Sequence, residues 1–179
     1  METCFIPSKR KMNTEITENY EANGVIKKTK GNSIRSERFS ITEVKGDLFT
    51  CSDTHSLAHC VSQDLKMGKG IAIHFKNKFD GVQELQSQNC RIGGIGILKR
   101  NGRFIYYLIT KERYWHKPTY VTLRSSLQAL KSHALENNII NLAMPKIGCG
   151  LDGLIWEKVR DVIADVFKDT DIRIIIYYI

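Results

Sequence analysis

Cysteine pairing is the first thing this chain lacks. Its five cysteines, Cys4, Cys51, Cys60, Cys90 and Cys149, are odd in number and none forms a Cys-x-x-Cys pair. That argues against a disulfide framework and against a zinc site, and fits a reducing compartment. No apolar run approaches the roughly 18 residues of a membrane-spanning helix, and no charged, apolar and small-residue succession marks a secretory signal. An intracellular protein that does not enter membranes is expected. Heptads and internal repeats are absent too, so a monomer is expected.

What is present is ordinary for a globular protein: 42% hydrophobic and 26% charged residues in 179. This length suits one domain with a full core plus a tail. Net charge is +8 with a pI near 9.3, which favours acidic partners. Residues 1–37 lack periodicity and read as a disordered basic tail, with the domain over 38–179. Lys9-Arg10-Lys11 and Lys27-Lys28 with Lys30 could serve nuclear import or touch a polyanion, or be solvated charge.

The most informative stretch is 139–152. An apolar run from Ile139 to Met144 reads as a buried strand that Pro145 ends, and Gly148 and Gly150 open the backbone before an amphipathic helix beyond Asp152. Such a loop at a helix N-terminus suits an anion such as phosphate, or is simply a turn that needs glycine. The helix carries Ile155, Trp156, Val159, Val162, Ile163, Val166 and Phe167 on one face, which makes Trp156 a core residue rather than a binding platform. A last strand is expected over 172–179.

Upstream, Phe39 to Lys45 alternates as a strand leading to Asp47, an acceptor for an adenine amino group or a turn residue. Ser56 to Val61 is a short apolar strand followed by Ser62, with His59 expected as a hydrogen-bonded core residue. Met67-Gly68-Lys69-Gly70 is a second glycine-rich loop, opening a helix with Ile71, Ala72, Phe75 and Phe79 on one face. Two such loops suggest two walls of one cleft. Ile95–Leu98 and Phe104–Thr110 flank Asn101-Gly102, a hairpin signal. A helix follows with Tyr120, Leu123, Leu127, Leu130 and Ala134 in step, and Asn137-Asn138 can end it. The pattern is an α/β fold with a mixed sheet, in which ligands sit beyond strand C-termini. Asp47, Ser62, Lys111 and the 145–152 loop all lie at such ends.

Val44-Lys45-Gly46-Asp47-Leu48-Phe49, Ser56-Leu57-Ala58-His59-Cys60, Met67-Gly68-Lys69-Gly70-Ile71-Ala72, the run from Phe104 to Lys111 and the run from Met144 to Asp152 together resemble the macrodomain family. The likeness covers residues 39–179. It implies a three-layer α/β/α macrodomain with a mixed central sheet, binding ADP-ribose and removing it from glutamate and aspartate side chains of mono- or poly-ADP-ribosylated proteins. It also implies deacylation of O-acetyl-ADP-ribose. By the same likeness Asp47 and Leu48 hold the adenine end, and Lys146, Ile147, Gly148, Cys149, Gly150, Leu151 and Asp152 wrap the diphosphate and distal ribose. Ser62 lies near that ribose and Ile179 lines the pocket. Lys111 matches the family's nucleophile and Asp152 its acid/base residue, with no metal and no cofactor. A nuclear and also cytoplasmic protein of the DNA damage response is the corresponding expectation. Lys146 stands where the family often has arginine, and the basic tail is longer than the resemblance implies.

Other classes fit less well. A non-catalytic ADP-ribose reader needs neither an amine nor a base at the distal ribose, so Lys111 with Asp152 argues against it. A nucleic-acid module lacks an aromatic-basic motif, and direct nucleic-acid binding is not expected. A nicotinamide dehydrogenase lacks a full Gly-x-Gly-x-x-Gly after the first strand.

Overall fold

A computed structural model describes residues 39–179; the basic tail expected over 1–37 lies outside the described residues. The strands are β1 (Ser40–Lys45), β2 (Ser56–Ser62), β3 (Ile95–Arg100), β4 (Arg103–Lys111), β5 (Asn141–Pro145) and β6 (Arg173–Tyr178). The helices are α1 (Ile71–Phe79), α2 (Val82–Ser87), α3 (Tyr120–Glu136) and α4 (Trp156–Phe167), with a 3-10 turn at Leu48–Thr50. α2 is absent from the sequence reading, because six residues are too few for a helical period to declare itself.

One six-stranded sheet forms in the order β1-β6-β5-β2-β4-β3. All neighbours run parallel except β3 and β4, an antiparallel hairpin. At its turn Asn101 and Gly102 have φ of 51° and 81°, the doubly left-handed backbone whose twist matches a two-residue hairpin.

Side chains alternate across the central strands, and each face has its own core. Ala58, Tyr106, Leu108, Leu142 and Met144 meet α3 and α4 through Leu123, Leu127, Val159, Ile163 and Phe167. Leu57, Val61, Ile105, Tyr107 and Ile109 meet Leu48, Phe75, Phe79 and Leu85 on the other side. Thr119 caps α3 in a reciprocal box with Thr122, and Asn138 ends it at φ 55°.

His59 departs from expectation in one respect. It is fully buried on the α1 face, stacked at 3.8 Å on Phe75 with Tyr107 edge-on at 4.7 Å. Neither ring nitrogen has a hydrogen-bond partner. Burial lowers its pKa to about 3, and the adjacent Cys60 backbone opposes this without making a well-formed bond.

Candidate functional site

Parallel strands all deliver their chain at the same edge of the sheet, so the loops after β1, β2, β4 and β5 meet there with Ile179, which follows β6. They enclose a cleft of about 1250 Å³ lined by Asp47, Leu48, Ser62, Lys111, Ile179 and the whole run from Pro145 to Asp152. Every residue assigned to a site from sequence therefore reaches one cavity.

Lys111 and Asp152 come from different strand ends, 41 positions apart, and the lysine ammonium donates to the Asp152 carboxylate. Their side chains are 12% and 15% exposed. They are sheltered but open to the cleft. Two thiols line the same space. Burial pushes the Cys149 thiol up to about 11, against the pull of Lys146, and pushes Cys60 higher still. Neither is a thiolate near neutrality, so neither is poised as a nucleophile.

At the end of β2, Ser62 donates to Asp64 at 2.5 Å, and Asp64 also accepts from the Tyr114 amide at 3.1 Å. Burial raises the Asp64 carboxyl, but hydrogen bonds from Ser62, Tyr114 and Lys66 outweigh it and hold the group below its ordinary range. Asp64 thus ties the Ser62 strand end to the loop that follows Lys111. Nothing in its local sequence announced this, since its partner lies 50 positions away.

The 146–152 loop corrects the expectation of a loop set at a helix N-terminus. α4 begins at Trp156 with Ile155 as its N-cap, so Gly153-Leu154-Ile155 separate loop from helix. The amides of Gly150, Leu151 and Asp152 donate to no described residue, whereas those of Cys149, Gly153 and Leu154 close turns. These amides, on residues that line the cleft, are available to an anion without a helix behind them. A helix N-terminus does face the cleft, but it belongs to α1: Gly70 (φ 58°) leads directly into Ile71, and Ile71, Ala72 and His74 line the cavity.

Gly148 sits at φ 71°, and a Cβ there would lie 2.8 Å from Leu154 Cδ1. Gly148→Ala is expected to cost about 1–3 kcal/mol of stability through backbone strain and crowding. An equilibrium urea titration checks it.

Lys146 is engaged elsewhere. Its ammonium lies 3.1 Å from Glu43 Oε2 and over the rings of Tyr178 and Trp156, at 4.5 and 5.2 Å. The bond from Lys146, with Trp156 and Arg160 in support, holds the Glu43 carboxyl low. Trp156 is half-buried and packs against the first core, with its indole N–H donating to Glu43 at 3.1 Å. The expectation of a core tryptophan holds in part: as the first residue of α4, next to strand β1, it lies at the edge of that core.

Leu48 is 3% exposed and packs into the second core while it borders the cleft. Asp47 caps the 3-10 turn by accepting from the Phe49 amide at 2.9 Å, and its carboxylate is otherwise exposed. The turn reading of Asp47 holds, and the residue also lines the cleft.

The second wall of the cleft adds residues beyond those expected from sequence to contact a ligand. Gly68, Lys69, Gly70, Ile71 and Ala72 line the cleft opposite the 146–152 loop. The Gly70 α-carbon approaches so near that a Cβ would touch Leu151 Cδ1 at 3.6 Å. Tyr114, Trp115, His116 and Lys117 form the mouth beside Lys111, with Lys117 Nζ donating to the Leu151 carbonyl at 2.5 Å.

Comparison with known proteins gives the same outline. The Macro domain family model matches residues 58–163. ADP-ribose glycohydrolase OARD1 of Bos taurus is 59% identical over 142 residues, covering 79% of this chain and 93% of its own length. The Homo sapiens protein of that name is 59% identical over 137 residues, covering 76% and 90%. Among solved structures, the macrodomain of Mycobacterium tuberculosis DarG matches with a TM-score of 0.71 at 27% identity, covering 77% of this chain and 97% of that one. Family match, sheet order and strand-end cleft agree: the chain belongs to the Macro domain family.

Proposed function

We propose that this protein is an ADP-ribose glycohydrolase that releases ADP-ribose from glutamate and aspartate side chains and deacylates O-acetyl-ADP-ribose. The observation that carries the reading is the Lys111–Asp152 pair, sheltered inside a nucleotide-sized cleft. An amine and a carboxylate in contact are what transfer of an anomeric carbon asks for. Binding alone asks for neither.

The topology supports one direction for the ligand. Asp47 follows β1 and Lys111 ends β4, four strand steps apart in the sheet, or about 19 Å at ~4.8 Å per step. With the reacting ribose at Lys111, the diphosphate crosses between the free amides of the 150–152 loop and the α1 N-terminus. Both favour negative charge. The adenosine then lies towards Asp47, Phe49 and Ile179.

Chemistry begins when Asp152 takes a proton from the Lys111 ammonium, leaving the amine lone pair free. Lys111 Nζ forms a bond to the anomeric carbon, and the bond from that carbon to the ester oxygen breaks with its electron pair on the departing carboxylate. Asp152 passes the proton it took to that departing carboxylate and is again a base. Water then attacks the same carbon with Asp152 accepting its proton, Nζ leaves as the amine, and Asp152 returns the proton to it. ADP-ribose and the enzyme are regenerated. OARD1, similar to this chain over most of its length, bears the name ADP-ribose glycohydrolase, which supports the reaction class.

The test uses a peptide mono-ADP-ribosylated on glutamate, with free ADP-ribose followed by mass spectrometry for wild type, Lys111→Ala and Asp152→Ala. Release by wild type alone is expected. No release by wild type, with ADP-ribose binding intact in a titration, would make the protein a reader.

A further inference from the structure

A second, smaller cavity of about 350 Å³ lies beside the first and shares Phe49 with it. Its other lining residues are Asp53, Lys78, Phe79, Arg100, Asn101 and Arg103, three cations against one carboxylate. On α1, His74 lines the large cleft and Lys78, one turn further along the same face, lines the small one. The small cavity thus adjoins the cleft at Phe49, on its Asp47–Phe49 side, and lies along α1.

The cations differ in how far they are already satisfied. Arg100 is neutralised by Glu84 at 2.7 Å and also donates to the Phe79 carbonyl. Arg103 is only 7% exposed, yet just its Nη1 has polar contacts, to Asp53 at 3.4 Å and to Cys51 Sγ at 3.8 Å. Asp53 itself is 87% exposed, a weak counterion. Lys78 has no ion pair among the described residues, and its ammonium lies over the Phe49 ring at 5.6 Å. A buried guanidinium with spare donors, a free ammonium and two aromatic faces make a site for an anionic group.

We infer that this cavity is a second anion subsite, which takes the diphosphate of the next ADP-ribose unit when the substrate is a polymer. The inference rests on the ligand direction proposed above: with the reacting ribose at Lys111, adenosine lies at Phe49, and a linear polymer continues from the adenosine ribose. The continuing chain meets Lys78 first and Arg103 beyond it. A monomer leaves the subsite empty.

The experiment is calorimetric titration of the full chain with ADP-ribose and with the linear 2′-1″-linked ADP-ribose dimer, for wild type and Lys78→Glu. Lys78 is exposed and far from Lys111, so the variant is expected to fold and to bind monomer as wild type does. The dimer is expected to bind wild type about tenfold more tightly than monomer, and Lys78→Glu to remove most of that advantage. Arg103→Gln, checked for folding by thermal melt, is expected to act likewise. Equal affinity for dimer and monomer in wild type, or an advantage that survives both substitutions, overturns the subsite while leaving the glycohydrolase reading intact. Failure of wild type to bind the monomer overturns both. Competition by single-stranded oligoadenylate as strong as that of the dimer would assign the groove to nucleic acid and overturn the inference as well.

Discussion

Lys111→Arg, like Lys111→Ala, is expected to lower release of glutamate-linked ADP-ribose by about a thousandfold or more, a loss on the scale of removing a reacting group. The arginine variant is the sharper of the two. It keeps the positive charge and a donor for Asp152, but a guanidinium stays protonated and is no nucleophile. Full loss in both variants, with ADP-ribose affinity retained, fits bond formation by Nζ. Substantial turnover by Lys111→Arg would sink that step and leave Lys111 as an electrostatic clamp. Three other cleft nucleophiles are held back: the Cys60 and Cys149 thiols are kept protonated by burial, and the Ser62 hydroxyl is committed to Asp64. Asp152→Asn is expected to slow release by about 10²–10⁴-fold and to lengthen the life of a covalent lysine adduct, visible as added mass on the intact protein.

Acid is expected to destabilise the fold through His59. Its ring is fully buried without a partner, with a pKa of about 3 against the ordinary 6.5. Below pH 6.5 the unfolded chain takes up a proton that the folded chain refuses, and unfolding is favoured. The contribution of neutral His59 is therefore full above pH 6.5, declines as pH falls towards 3, and is constant below that. The slope approaches 1.4 kcal/mol per pH unit, or about 2 kcal/mol between pH 6.5 and 5. His59→Leu removes the proton and keeps an apolar filler against Phe75. Urea midpoints for wild type and His59→Leu at these two pH values check it: the wild type should lose the extra stability and the variant should not. Identical pH dependence in both would mean that the ring finds a partner or water in solution. Carboxylates such as Glu43 and Asp64, also held low, titrate in both proteins and cancel in the difference.

What could be read from the chain alone was whatever is encoded locally. The 139–144 run, the Asn101-Gly102 turn, the stripe from Leu123 to Ala134 and the alternation at β2 each need only their own neighbours to declare themselves. Two glycine loops and acidic or basic residues at strand ends placed a cleft on the correct edge of the sheet, because parallel strands oblige their C-terminal loops to converge. The family likeness named Lys111 and Asp152.

Tertiary structure decided the rest, where partners lie far apart in sequence. Only the order β1-β6-β5-β2-β4-β3 brings Lys111 to Asp152, and Glu43 to Lys146 and Trp156, which leaves the tryptophan at the edge of the core. It also gave the anion-favouring helix N-terminus to α1 rather than α4, since three residues after Asp152 go to turning the chain before helix begins. The second cavity has the same origin. Phe49, Lys78 and Arg103 sit on a 3-10 turn, a helix and a hairpin strand, and no local spacing relates them. Sequence period reports which face a residue occupies; which faces meet is set by how the elements pack.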